Sequence, residues 1–151
     1  MSTAVTVPGV EDLTLSITEE IRVNATLEQT FEALLDQLGP GMTGAEDAPM
    51  PMKIEAWPGG RWYRDLGDGN GHLWAHVQAI RRPALLEFCG PLMMSFAAAS
   101  NVQYRLSKDQ SGTLITFHHY AIGAIPADYR KAMEGGWHTI HERAKQRAEK
   151  R

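Results

Sequence analysis

From about residue 52 to residue 122, apolar side chains return at every second position through a series of short runs. From residue 129 they return at every third or fourth position instead. The first period is that of half-buried strands, the second that of a helix with one apolar stripe. Met52, Ile54 and Ala56 alternate as far as the turn signal Pro58-Gly59-Gly60, and residues 61–66 mix aromatic and charged side chains. Gly67-Asp68-Gly69-Asn70-Gly71 turns the chain again. Residues 72–80 read as a long strand with Leu73, Ala75, Val77 and Ala79 on one face. Arg82-Pro83 breaks that strand before a short one at residues 85–88. Val102, Tyr104 and Leu106 alternate, residues 108–112 turn, and residues 113–122 form the last strand. The closing helix, with Pro126 in its first turn, carries Tyr129, Met133, Trp137, Ile140, His141, Ala144 and Ala148 on one stripe.

Ahead of this block, Leu13, Leu15, Ile17, Ile21 and Val23 alternate with only Glu19 interrupting, which predicts a further strand. Residues 24–26 offer a cap, and Leu27, Thr30, Phe31, Leu34, Leu35 and Leu38 follow at helical spacing up to Gly39-Pro40. Residues 41–50 read as loop or one helical turn, and residues 90–100 as an apolar loop or turn. Residues 1–12 are small, polar and Pro/Gly-containing, a flexible leader to a single domain at residues 13–151. The order is strand, helix, six strands, long helix. Short connections between consecutive strands favour an antiparallel sheet, whose apolar face the last helix must cover. The fold expected is α+β: a helix-grip, with a curved antiparallel sheet of about seven strands around a long C-terminal helix.

Bulk properties exclude several classes of function. The 151 residues suffice for one buried core. A net charge of −3 argues against nucleic acid as a partner. The basic residues 143–151 alternate with glutamates and read as a solvated helix face. The single cysteine, Cys89, excludes an internal disulfide or a multi-cysteine zinc site, and is expected buried and inert. No apolar stretch approaches membrane-spanning length, and no secretion signal opens the chain, so a cytoplasmic protein is expected.

Several local stretches resemble the START-like (SRPBCC) superfamily. Within it they are most similar to the branch of the activator of heat-shock-protein ATPase homologues. "VNATLEQTFEALLD" is similar to the family's strand-to-helix entry, and "EAWPGGRWYRD" to its Gly-Gly turn between strands. "AHVQAIRRPALLEF" resembles its strand, proline turn, strand passage, and "SGTLITFHHYAIG" its last strand. "GGWHTIHERAKQRAE" resembles the Gly-Trp start of its closing helix. The likeness spans about residues 15–148, with Ala75 where the family commonly has glycine and His141 where a leucine is usual. It implies a cavity between sheet and helix that holds apolar or amphipathic molecules; members include binding proteins, cyclases and cochaperone-like modules.

His141 shares the stripe of Trp137 and Ala144, and His119 shares one side of the last strand with Ile115, Phe117 and Ala121. If that side faces the helix, as the resemblance implies, both imidazoles point into the cavity. They could then pass a proton or hold a ligand's polar group. The alternative is that each is neutral and hydrogen-bonded as a polar brace, to backbone or to Tyr104. The expected ligand-binding set is Trp62, Val77, Phe88, Met93, Phe96, Tyr104, Phe117, His119, Trp137 and His141, with Met93, Met94 and Phe96 at the lip. The aromatic members could equally fill the core. Trp74 falls opposite the Leu73/Ala75 face, a contact for a homodimer if exposed and core if covered.

A metal is not expected. His72 and His76 share a strand face but lie about 13 Å apart by the strand rise. His138 and His141 could share a ligand, but no third ligand stands at convincing spacing. The direction of Glu19 cannot be settled by parity. The glycines at 67–71 lack a following Lys-Ser/Thr, so they form a turn and no phosphate cradle. No cofactor is implied. Three readings follow in order: a binding protein for a small apolar or amphipathic molecule; a cyclase- or hydrolase-like enzyme with His119 and His141 as acid and base; and a module that interacts with a chaperone.

Overall fold

A computed structural model describes Gly9, residues 13–93 and residues 95–151. The expected leader, Gly9 apart, and Met94 lie outside the described residues. The elements run β1 (Thr14–Val23), α1 (Leu27–Leu38), β2 (Lys53–Ile54), β3 (Arg61–Gly67), β4 (Asn70–Arg81), β5 (Leu85–Gly90), β6 (Ala98–Asp109), β7 (Gly112–Gly123) and α2 (Ala127–Glu149). All strands pair antiparallel in one sheet, in the order β1-β7-β6-β5-β4-β3-β2. This is a helix-grip fold: seven strands, two helices, and the long α2 packed on α1 and β1.

α1 starts where the sequence supplies a capping box. The Gln29 backbone N–H donates to Thr26 Oγ1, and the Thr26 N–H donates to Gln29 Oε1, both at 3.1 Å. The helix buries Phe31, Ala33, Leu34 and Leu38. Its terminal Leu38 carbonyl accepts a hydrogen bond from the buried Trp62 indole at 2.8 Å. An otherwise orphaned helix-end carbonyl thereby ties α1 to β3.

Alternation fails at Trp74. Trp62 pairs with Ala75 and Tyr63 with Leu73, which leaves Trp74 as the extra residue of a β-bulge. The bulge corrects the expected face of β4: Leu73 is 41% exposed, whereas Trp74 is 5% exposed and stacks edge-on against Trp62. Trp74 is therefore covered and offers no dimer contact. The same slip puts His72 and His76 out of phase along the strand. Gly90 sits against the bulge, where a Cβ would lie 2.5 Å from the Trp74 carbonyl oxygen, so only glycine lets β5 end there. The thiol of Cys89 is exposed, correcting the expectation of a buried one. It lies on the outer face because its neighbour Phe88 points inward and is fully buried.

β1 forms one edge of the sheet, and α2 side chains close it. Arg130 donates to the Thr14 carbonyl, and Lys145 to the Arg22 carbonyl at 2.9 Å. The Asn24 N–H donates to Glu149 at 2.8 Å. Covering edge groups in this way denies them to another chain. The core between sheet and helices is centred on Trp62, Phe88, Tyr104, Phe117 and Trp137.

Candidate functional site

Two hydrogen-bonded chains join β-sheet and α2 behind Trp137. In the first, Glu19 on β1 takes both α2 histidines: His141 Nδ1 lies 2.6 Å from Oε1, and His138 Nδ1 lies 2.8 Å from Oε2. An ionised carboxylate only accepts, so His141 donates from Nδ1. Its Nε2, 2.9 Å from the Tyr104 hydroxyl, is then free to accept that O–H. In the second, the Trp137 indole donates to His119 Nδ1 at 3.0 Å. His119 must then carry its proton on Nε2, which faces Ser100 Oγ at 2.8 Å.

The electrostatics match these assignments. Burial pushes His119 down to about 4, with the neighbouring His118 adding to the shift. Burial also lowers His141, more than the Glu19 carboxylate raises it. Both imidazoles are therefore neutral at pH 7. Burial acts to raise Glu19, but the hydrogen bonds and charges of His138 and His141 outweigh it and hold the carboxyl below its ordinary range. Burial raises the Tyr104 hydroxyl well above its ordinary value, and Glu19 adds to this. Carboxylate, imidazole and hydroxyl stand in the order of a proton relay. Yet Tyr104, Phe117, His119 and His141 are each 0% exposed. Rings pack around Phe117, whose centroid lies 4.3 Å from His141 and 4.9 Å from Trp137. Both imidazoles are thus enclosed in the core with each ring nitrogen hydrogen-bonded. Among the described residues, no three His, Cys, Asp or Glu side chains are arranged to hold a metal.

Open space lies on the other side of Trp137. A pocket of about 630 Å³ is bounded by the first part of α2 and the loop at residues 42–50, with Trp74 and Met93 completing its wall. Met42, Met50, Met133 and Ile140 make the wall apolar and deformable. The loop is held in place by Arg143, which ion-pairs with Asp47 and donates to Thr43 Oγ1 at 3.1 Å. The Met93 end is held by Tyr129, whose hydroxyl donates to the Met93 carbonyl at 3.2 Å and whose ring meets Phe96 edge-on.

Of the ten residues expected to bind ligand, Met93 and Trp137 lie on this wall. Trp62, Val77, Phe88, Tyr104, Phe117, His119 and His141 are buried in the core, and Phe96 packs against Tyr129 just outside the pocket. The cause is volume: the aromatic side chains of β3, β5, β6 and β7 fill the hollow of the sheet themselves. Trp74, Met42 and Met50 were not foreseen on the wall. The bulge that turns Trp74 inward leaves no sequence signature, whereas two methionines in a loop were an available signal of burial.

No family model matches the sequence, and no curated protein matches it. Solved structures do match over nearly the whole chain. An uncharacterized protein from Rhizobium leguminosarum superposes with a TM-score of 0.71 at 16% identity, over 91% of this chain and 96% of that one. The Aha1 dimer from Colwellia psychrerythraea gives 0.64 at 14% identity, over 89% and 96%. The di-domain ARO/CYC StfQ from the steffimycin biosynthetic pathway gives 0.65 at 15% identity, over 93% of this chain and 53% of that one. At these identities the likeness is one of fold.

Proposed function

We propose, taking the helix-grip fold as premise, that this protein binds a small apolar or amphipathic molecule in the pocket between α2 and residues 42–50. The observation that carries this reading is the pocket itself: about 630 Å³ of space walled by two tryptophans, four methionines and an isoleucine. Such space is within the usual range for ligand sites, and leaving so much apolar wall in water is unfavourable unless something covers it. The polar chains of Glu19, His141, Tyr104 and His119 support binding from behind, by fixing Trp137 so that its outer face is a rigid wall. Because both imidazoles lie behind that indole, the reading assigns them no proton transfer to a bound molecule. The quoted sequence motifs and the fold shared with the Aha1 dimer support placing the chain in the heat-shock ATPase activator branch.

The test is uptake of a neutral fluorescent probe, N-phenyl-1-naphthylamine, followed by its emission and by quenching of tryptophan. Wild type should bind it saturably. Met93→Arg and Met50→Arg, each only partly buried, should weaken binding about ten-fold or more by placing a charge on the apolar wall, with an unchanged circular dichroism spectrum. Equal uptake by both folded variants would remove the pocket from consideration. Native mass spectrometry of the purified protein should show a co-purified small molecule at substoichiometric to full occupancy.

A further inference from the structure

The pocket's polar groups are unbalanced in sign. Among the described residues, its charged wall residues are Glu46 and Asp47, both carboxylates. Asp47 is ion-paired with Arg143, and that guanidinium also serves Thr43, so this cation is already engaged. Glu46 is exposed and has no hydrogen bond or ion pair among the described residues. The hydroxyl protons of Tyr129 and Thr139 are engaged by the Met93 and Gly135 carbonyls, so neither is free to donate to a bound anion. The indoles of Trp74 and Trp137 line the same pocket, and aromatic faces attract cations.

A bound carboxylate would therefore meet the unpaired Glu46 carboxylate, with Asp47 already compensated by Arg143 and no cation among the described wall residues to neutralise it. A neutral head group gains no charge pair. A protonated amine finds the free Glu46 carboxylate in a pocket also walled by indoles, while its apolar body occupies the methionine-lined space. We propose that the pocket selects apolar molecules bearing an ammonium group over those bearing a carboxylate, with Glu46 receiving the cationic end. This rests on the binding reading above and names the class of molecule bound.

The experiment compares 1-decanol, decylamine and decanoate at pH 7, below their micellar concentrations, as competitors of N-phenyl-1-naphthylamine. The three share one chain and differ in head-group charge. Against wild type, decylamine should displace the probe at roughly five-fold lower concentration than decanol, and decanoate at roughly five-fold higher, as befits one partly exposed charge pair. The spread should contract on raising the salt and collapse in Glu46→Gln, which substitutes an exposed loop residue and leaves the core untouched. Equal displacement by all three, a preference for decanoate, or a full spread retained in Glu46→Gln would overturn the charge selection while leaving the pocket as a binding site. Failure of the probe and of all three competitors to bind would instead overturn the binding reading, and the selection with it.

Discussion

Trp137 belongs to two environments. Its ring faces the pocket, while its indole N–H is spent on His119 in the core. A residue so placed transmits the rigidity of the core to the wall. Nearly every other buried polar side chain is paired in the same way; the described exception is Thr30 Oγ1, which is buried without a hydrogen-bond partner. An unpaired buried hydroxyl costs about 1–3 kcal/mol, and valine has nearly the same shape without it. Thr30→Val should therefore stabilise the protein by roughly 1 kcal/mol. Urea unfolding should show a higher midpoint with unchanged slope; a lower midpoint would mean that the hydroxyl has a partner after all. Glu19 illustrates what a one-residue reading misses. Its place in the alternation of β1 leaves its direction open, and the reason for it lies more than a hundred residues away, in His138 and His141.

At the scale of elements, α2 carries adjacent glycines at 135 and 136, in the middle of a 23-residue helix. At both, an added Cβ would meet open space, so neither is required by packing. Each costs about 1 kcal/mol of helix stability relative to alanine. Gly136 lies on the pocket wall and Gly135 does not. Gly135→Ala should raise the thermal midpoint with probe affinity unchanged, whereas Gly136→Ala should raise it similarly but weaken the probe by narrowing the space. Identical effects of the two on probe affinity would detach the bare helix backbone from ligand binding. β1, α1, β7 and α2 follow the period of their apolar residues closely, since that period is the geometry of burial itself, whereas β6 begins at Ala98, inside the stretch at residues 90–100 expected as loop or turn. β2 was expected to span three alternating residues to Ala56 and pairs over Lys53–Ile54 alone. β4 departed most, because a bulge inserts one residue and inverts the parity beyond it. Nothing in residues 72–77 as a local string favours Leu73 outside and Trp74 inside; the contact with Trp62 decides it.

For the whole molecule, the buried histidines make stability depend on pH. His119 has its pKa depressed from 6.5 to about 4 in the folded state, chiefly by burial. Keeping it neutral therefore contributes stability that is complete above pH 6.5 and is lost as pH falls toward about 4, a change of roughly 3 kcal/mol. His141 is depressed as well and acts in the same direction, and Glu19, held low, adds a further loss in more acid solution. His138 is raised by its hydrogen bond to Glu19, so its smaller, exposed contribution runs the opposite way and fades as pH rises above 6.5. The urea midpoint should fall steadily between pH 6.5 and 4, and His119→Gln should flatten that fall. A midpoint constant over this window would show that the imidazole is solvated.

Local periodicity, capping and turn residues determined by themselves that this chain makes seven strands, a short and a long helix, in an antiparallel sheet gripped at the end. Those signals act between residues a few positions apart, where hydrogen-bond geometry and the water-facing side of each element are set. Which side chains fill the hollow, and where space is left over, was decided only by the tertiary structure. Both depend on the summed volumes of residues from β3 to β7 and α2, and on one bulge that brings Trp74 to the wall. Volume is a property of the assembled interior, and no stretch of the chain carries it alone.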